Sequence, residues 1–136
     1  MQIKAVHHIA IIASDYKRSL HFYTEILGLK MISEHYRASR QSYKTDLALS
    51  DGTYVVELFS FSSPPELVTH PEACGLRHLA FAVTDIEQAI HEMTANGIEC
   101  EPIRIDEYTG RKFTFLQDSD QLPIELYEVE SEGKGM

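Results

Sequence analysis

The sequence predicts an α+β fold of two tandem βαβββ modules whose strands form a curved mixed sheet around a cavity, and three observations carry that prediction. The run His8-Ile-Ala-Ile-Ile-Ala-Ser-Asp15 returns seventy residues later as His78-Leu-Ala-Phe-Ala-Val-Thr-Asp85. Each copy closes on a Glu-Leu pair, Glu57-Leu58 in the first and Glu125-Leu126 in the second. Between opening and close, the apolar rhythm changes in the same order twice, from a short strand-like run to helical spacing and back to strand-like runs.

The first element, Ala5 to Ala13, is short, apolar and isoleucine-rich, and it stops at Ser14-Asp15, residue types that cap helix N-termini. Tyr16, Leu20, Tyr23 and Leu27 then recur at helical spacing and Gly28 supplies a left-handed stop, which predicts a helix over 15–27. Lys30 to Tyr36, Tyr43 to Ser50 and Thr53 to Phe61 read as strands, the last two joined across Asp51-Gly52, a hairpin signal. In the second copy a strand over 76–83 feeds a helix over 85–96. Thr84-x-x-Glu87 is its expected capping box and Gly97 its stop. Strands near 98–105, 112–117 and 123–129 complete the module.

One domain over 1–129 is expected, with modules 5–61 and 76–129 joined by a connector, 62–75, in which Pro64, Pro65 and Pro71 resist regular structure. The polar stretch 130–136 has nothing to bury and reads as a flexible tail.

Composition narrows the function. At 136 residues and 43% apolar content the chain buries a sizeable core without disulfides. Twelve Lys and Arg against twenty-one Asp and Glu give a net charge of -9, with no basic run to track a phosphate backbone, so nucleic acid is not an expected partner. No apolar stretch approaches the roughly 20 residues that span a bilayer, and the first residues lack a signal-peptide core, so no membrane partner and a cytoplasmic location are expected. Cys74 and Cys100 lack CxxC spacing and read as reduced, packed thiols.

Strand alternation decides where the repeated histidines and glutamates point. In the opening strands His8, Ala10 and Ile12 share one face, as do His78, Ala80 and Ala82, while the bulky apolar residues take the other. A histidine followed by small residues makes a cavity wall. Glu57 and Glu125 sit among apolar neighbours, where an unpaired carboxylate costs several kcal/mol and therefore calls for a cation or a proton. A lone His or Glu on a strand is ordinarily a satisfied core or surface residue. Both types repeated in register reverse that expectation and point to a metal-centred cavity, with His8, Glu57, His78 and Glu125 as ligands of one divalent transition metal. Two imidazole nitrogens and two carboxylate oxygens suit Ni2+, Co2+, Zn2+ or Mn2+, and open positions remain for substrate. Among the cationic residues, Arg37, Arg40 and Arg111 are candidate substrate-binding groups, although a solvated loop charge is the commoner reading of each.

The doubled βαβββ pattern, His8 and His78 each seven residues before an Asp, the helix Ser19-x-x-Phe22-Tyr23-x-x-x-Leu27-Gly28, and Glu57 and Glu125 together resemble the vicinal oxygen chelate superfamily. That superfamily includes glyoxalase I, methylmalonyl-CoA epimerase, extradiol dioxygenases, and fosfomycin and bleomycin resistance proteins. The resemblance covers residues 5 to 129. Dioxygenases and fosfomycin-modifying enzymes typically use two histidines and one glutamate, whereas His-Glu-His-Glu is similar to glyoxalase I.

The resemblance implies a metal-dependent lyase or isomerase, lactoylglutathione lyase-like. It would act on a small α-oxygenated carbonyl compound or its thiol adduct, by proton abstraction and enediolate stabilisation. Glu125 is the expected base and Glu57 its counterpart on the opposite face. Glyoxalase I typically has an Arg four residues after the first ligand and an Asn four after the second, both used with glutathione. Here these are Ile12 and Phe61, so the resemblance implies the metal chemistry more strongly than the glutathione substrate. Its usual Asp-Pro-Asp-Gly turn is altered to Asp118-Ser-Asp-Gln121. An epimerase acting α to a thioester, and a non-catalytic binding protein of the bleomycin-resistance type, are the alternatives. The resemblance also implies a homodimer, with the site built within one chain or shared between two.

Overall fold

The computed structural model of the protein describes residues 1–131, so the expected tail falls largely outside the described residues. The chain divides into two compact units, Met1–Glu66 and Leu67–Met136. Each is a mixed four-stranded sheet with a helix, and the α+β class and the doubled βαβββ order are those the sequence predicts.

In the first unit β1 (Ile9–Ala13) feeds α1 (Tyr16–His21), which passes into a π-helical turn over Phe22–Ile26. β2 (Lys30–Arg37), β3 (Ser42–Ala48) and β4 (Tyr54–Ser60) follow, and the sheet order is β1-β4-β3-β2. β1 runs parallel to β4, and the other pairs are antiparallel. The second unit repeats this with β5 (Leu79–Val83), α2 (Ile86–Ala95), β6 (Arg104–Ile105), β7 (Lys112–Gln117) and β8 (Pro123–Glu128), in the order β5-β8-β7-β6.

Several boundaries differ from expectation for physical reasons. The first helix is not α-helical throughout: Leu27 donates to the Phe22 carbonyl five residues back, and the wider turn carries both Phe22 and Tyr23 into the core. Gly28 and Gly97 end their helices at positive φ as expected. At α2 the cap is Asp85, whose carboxylate accepts from the Gln88 backbone N–H at 3.0 Å, and not Thr84. Asp15 does the same for Arg18 at 3.2 Å, so both copies use the aspartate of the repeat. β6 is only two residues long, because 98–103 joins the sheet through little more than Glu101 donating to the Phe115 carbonyl. Cys74 and Cys100 are both free thiols, but Cys74 is exposed where packing was expected. Burial pushes the half-buried Cys100 thiol up, away from the reactive thiolate.

Each sheet packs one face on its helix. Ile11, Ala13, Phe22, Tyr23, Leu47, Val56 and Leu58 are buried in the first unit, and Leu79, Ile86, Met93, Leu116, Ile124 and Leu126 in the second. The same face buries one threonine per unit, Thr45 opposite Leu58 and Thr114 opposite Leu126, and each hydroxyl is satisfied. Thr114 donates to the Glu101 carbonyl at 2.6 Å, and Thr45 meets the Tyr16 hydroxyl, which donates to Glu34.

Burial, reinforced by the Glu34 carboxylate, pushes the Tyr16 hydroxyl up to about 12 from its ordinary 10.0. The unfolded chain therefore ionises first on raising pH. The stabilisation held in neutral Tyr16 is complete below pH 10.0 and lost as pH rises towards about 12. Tyr16→Phe is expected to flatten this alkaline loss in thermal melts and to cost about 1 kcal/mol at neutral pH through the hydrogen bonds removed. An unchanged alkaline profile would show that Tyr16 is not its source.

Candidate metal centre

Each unit places one histidine beside one glutamate by the same construction. The glutamates lie in the inner strands β4 and β8, in register with the small residues Ala10 and Ala80 of the parallel neighbours. His8 and His78 stand two residues before these alanines, just ahead of β1 and β5, and therefore on the same face. Nothing larger than a methyl group separates imidazole from carboxylate. His8 Nε2 is 3.4 Å from Glu57 Oε1, and His78 Nε2 is 3.0 Å from Glu125 Oε1. The glutamate side chains are only 13% and 14% exposed, while Ala10, Ile12, Ala80 and Ala82 leave the wall beside them open. Among the described residues, no group of three or more His, Cys, Asp or Glu side chains is placed to hold a metal ion. Each unit holds a pair of nitrogen and oxygen donors suited to half of a divalent transition-metal shell.

The surroundings of the two pairs differ. Glu57 Oε2 is 3.0 Å from Lys44 Nζ, and the same ammonium donates to Asp46 at 3.1 Å. Asp46 also accepts from Tyr54 at 2.9 Å and from Ser33 at 3.0 Å. Two register shifts build this network: β2 slips between Met31 and Ser33 and β3/β4 between Leu47 and Ala48, so Ser33 and Tyr54 turn to the carboxylate face. The hydrogen bond to Glu57 holds Lys44 above the ordinary lysine range, against the opposing pull of burial and with help from Asp46. Burial would raise the Asp46 carboxyl, but hydrogen bonds from Tyr54, Lys44 and Ser33 outweigh it and hold the group below its usual range. Tyr54 is pushed up by burial and by the Asp46 carboxylate it serves. His8 stacks on Tyr54 at 5.0 Å, and His8 Nδ1 lies 2.8 Å from His7 Nδ1.

Around Glu125 the same positions are aromatic. Phe115 pairs in register with Glu125 where Asp46 pairs with Glu57, and Phe113 pairs with Tyr127 where Lys44 pairs with Phe59. His78 meets Phe115 edge-on at 5.1 Å, and the Arg104 guanidinium lies over Phe113 and Phe115 at 5.2 and 5.5 Å. A cavity of about 920 Å³ within the second unit is lined by His78, Arg104, Phe115, Arg77 and Cys100, among others.

The three arginines singled out from sequence fall in different settings. Arg37 lies 5.0 Å from the Phe59 ring and 5.9 Å from Phe61, on the Glu57 side of β4, and donates to Ser42 at 3.0 Å. Its buried Nε has no hydrogen-bond partner among the described residues. Arg40 ends an exposed 3-10 turn, and Arg111 faces Glu130 at 3.7 Å. Sequence reasoning singled out none of Lys44, Asp46, Tyr54 and Arg104 as a site residue, although Lys44 ends the basic segment that begins at Arg40. Alternation alone places Lys44 and Asp46 on one face of β3, a signal that was available, whereas Tyr54 depends on the slipped register.

The sequence pattern of the Glyoxalase/Bleomycin resistance protein/Dioxygenase superfamily matches residues 5–126. The chain is 58% identical to the uncharacterized protein YwkD of Bacillus subtilis (strain 168) over 94% of its own length and 99% of that protein. A crystal structure of a glyoxalase family protein from Enterococcus faecalis superposes with a TM-score of 0.85 at 43% identity, covering 94% of this chain and 100% of that one. The lactoylglutathione lyase of Salmonella typhimurium is 27% identical over 95% of this chain and 96% of the enzyme. With the pattern covering nearly the whole length and both His–Glu pairs lying within it, the chain belongs to the Glyoxalase/Bleomycin resistance protein/Dioxygenase superfamily.

Proposed function

We propose that His8 and Glu57 act with His78 and Glu125 as one His2Glu2 centre for a divalent transition metal, Ni2+, Co2+, Zn2+ or Mn2+, in a glyoxalase-like lyase or isomerase. The observation that carries this reading is the construction of two His–Glu pairs at the same register, each able to contribute one nitrogen and one oxygen donor. The likeness to a lactoylglutathione lyase supports the reaction class.

A divalent cation held there supplies Lewis-acid stabilisation of the negative charge that develops on vicinal substrate oxygens. The protein does the rest. Glu125 takes the proton from the hydroxyl-bearing carbon and returns it to the adjacent, former carbonyl carbon, while the hydroxyl proton passes from the first oxygen to the second, so no redox cofactor is required. Arg37, braced by Phe59 and Phe61, is the proposed anchor for an anionic group of the substrate, and Arg40 and Arg111 are secondary candidates. Ile12, 53% exposed on the His8 side of β1, offers apolar contact where a glutathione-using enzyme would offer a cation, which favours a small α-oxygenated carbonyl compound or a different thiol adduct. The proposed working form is a cytoplasmic homodimer.

Metal analysis of the purified protein tests the centre. About one equivalent per chain is expected, and either His8→Ala or His78→Ala alone should remove nearly all of it, because a shared shell loses its affinity with any ligand. Half the metal retained in each variant would mean two independent sites, and no metal in the wild-type protein under any growth condition would reject the proposal.

A further inference from the structure

The two half-sites are built alike in backbone and unlike in chemistry, and the difference falls on the glutamates. Glu57 has both oxygens engaged, Oε1 towards His8 and Oε2 on the Lys44 ammonium at 3.0 Å. Lys44 is itself fixed from the other side by Asp46, which Tyr54 and Ser33 hold in turn. Among the described residues no lysine or arginine lies within ion-pairing distance of Glu125, and the positions matching Lys44 and Asp46 are Phe113 and Phe115. A carboxylate with one oxygen tied to a braced ammonium has one orientation, which here presents the other oxygen beside His8. Glu125 meets His78 at 3.0 Å and has Phe115, not an ammonium, beside it, so no second cation fixes its orientation among the described residues.

We infer that Lys44 is a positioning residue that reserves one oxygen of Glu57, fixing Glu57 as a single-oxygen ligand beside His8 and leaving the moving proton to Glu125 alone. The inference rests on the His2Glu2 reading and adds a division of labour to it: the first half-site is the static one and the second moves the proton. Charge supports this assignment. The Lys44 cation lies between two carboxylates whose charge offsets its repulsion of a metal, so its proposed effect is mainly orientation, where loss of a supporting hydrogen bond typically weakens metal binding about 10- to 100-fold.

A double-mutant cycle read by calorimetric titration of Co2+ into the full-length apo protein tests it. Lys44→Met should weaken Co2+ binding by about 10-fold or more, and Lys44→Arg, which keeps the cation, should restore most of the loss. In a Glu57→Gln background Lys44→Met should have almost no further effect, whereas in a Glu125→Gln background its effect should persist in full. Unchanged or tighter binding in Lys44→Met, or equal coupling to both glutamates, overturns the inference.

A second readout needs no metal. In the apo protein, acetylation of Lys44 by an N-hydroxysuccinimide ester, followed by mass spectrometry, should quicken severalfold in Glu57→Gln and stay unchanged in Glu125→Gln. If wild-type protein binds no Co2+, the His2Glu2 reading fails and the assignment of Lys44 as a ligand-positioning residue falls with it. If Co2+ binds but the acetylation rate ignores Glu57, only the role of Lys44 is rejected.

Discussion

Glu125→Gln is expected to lower turnover about 10²- to 10⁴-fold, the usual contribution of a positioned general base, while leaving the fold unchanged. Glutamine keeps the size of the side chain and an oxygen donor, but it cannot accept a proton at neutral pH. Its neighbours favour this isosteric exchange: Ala80 and Phe115 flank position 125 and neither requires a charge there. The assay follows hemithioacetals of methylglyoxal with a panel of thiols, with solvent deuterium to detect proton exchange apart from net conversion. Glu57→Gln should behave differently, because it strands Lys44 beside Asp46 and should act chiefly through metal retention. Turnover kept in Glu125→Gln and lost in Glu57→Gln with metal still bound would exchange the two roles. Exchange into an acyl thioester without any conversion of hemithioacetals would instead favour an epimerase.

The sequence carried the repeat, and the repeat carried most of the fold. Because strand side chains alternate with period two, the face of a histidine two residues before a small residue is legible once the strand is recognised, and the register Ala10 with Glu57 and Ala80 with Glu125 puts each histidine on the face of its own unit's glutamate. The Asp15 cap, the hairpin at Asp51-Gly52 and the glycine stops were legible for a similar reason, since each depends on a few adjacent residues. What stayed illegible depends on pairing between distant strands. The slips that spare Ile32 and Val55 from the ladder turn Ser33 and Tyr54 onto the carboxylate side, and no local pattern announces them. The π-turn after His21 is a further case: helical spacing in the sequence reads as one α-helix, while packing of Phe22 and Tyr23 selects the wider turn.

The division between the two half-sites follows from the same alternation. Lys44 and Asp46 on β3, and Phe113 and Phe115 on β7, occupy matching places beside matching glutamates, so duplicated backbone leaves side chains free to diverge. The proposed division of labour assigns the carboxylate held by a lysine to the fixed ligand and the carboxylate beside Phe115 to the base. The chemistry that separates them sits in the strand adjacent to each glutamate and not in the repeated motif itself.

Leu58→Ala is expected to produce the largest loss of stability, about 3 kcal/mol, with a fall in Tm of roughly 10 °C. Leu58 is fully buried, on an inner strand, in register with Ile11 on one side and Thr45 on the other. Truncation there leaves a cavity that the sheet cannot close, because strands on both sides hold β4 in register. Phe59 offers the control: it is the next residue, half-buried on the opposite face against Arg37, and Phe59→Ala should cost much less because solvent fills the space. Urea unfolding at 25 °C, with the slope m compared between variants, measures both. The two substitutions should also separate stability from chemistry. Leu58→Ala should leave Co2+ affinity of the folded protein within about threefold of wild type, since its side chain points away from Glu57. Phe59→Ala should weaken the binding of an anionic substrate through loss of the support beneath Arg37. A loss below about 1 kcal/mol in Leu58→Ala would mean that β4 is not the packed centre of the first unit, and with it the rigid mounting of Glu57 would fall.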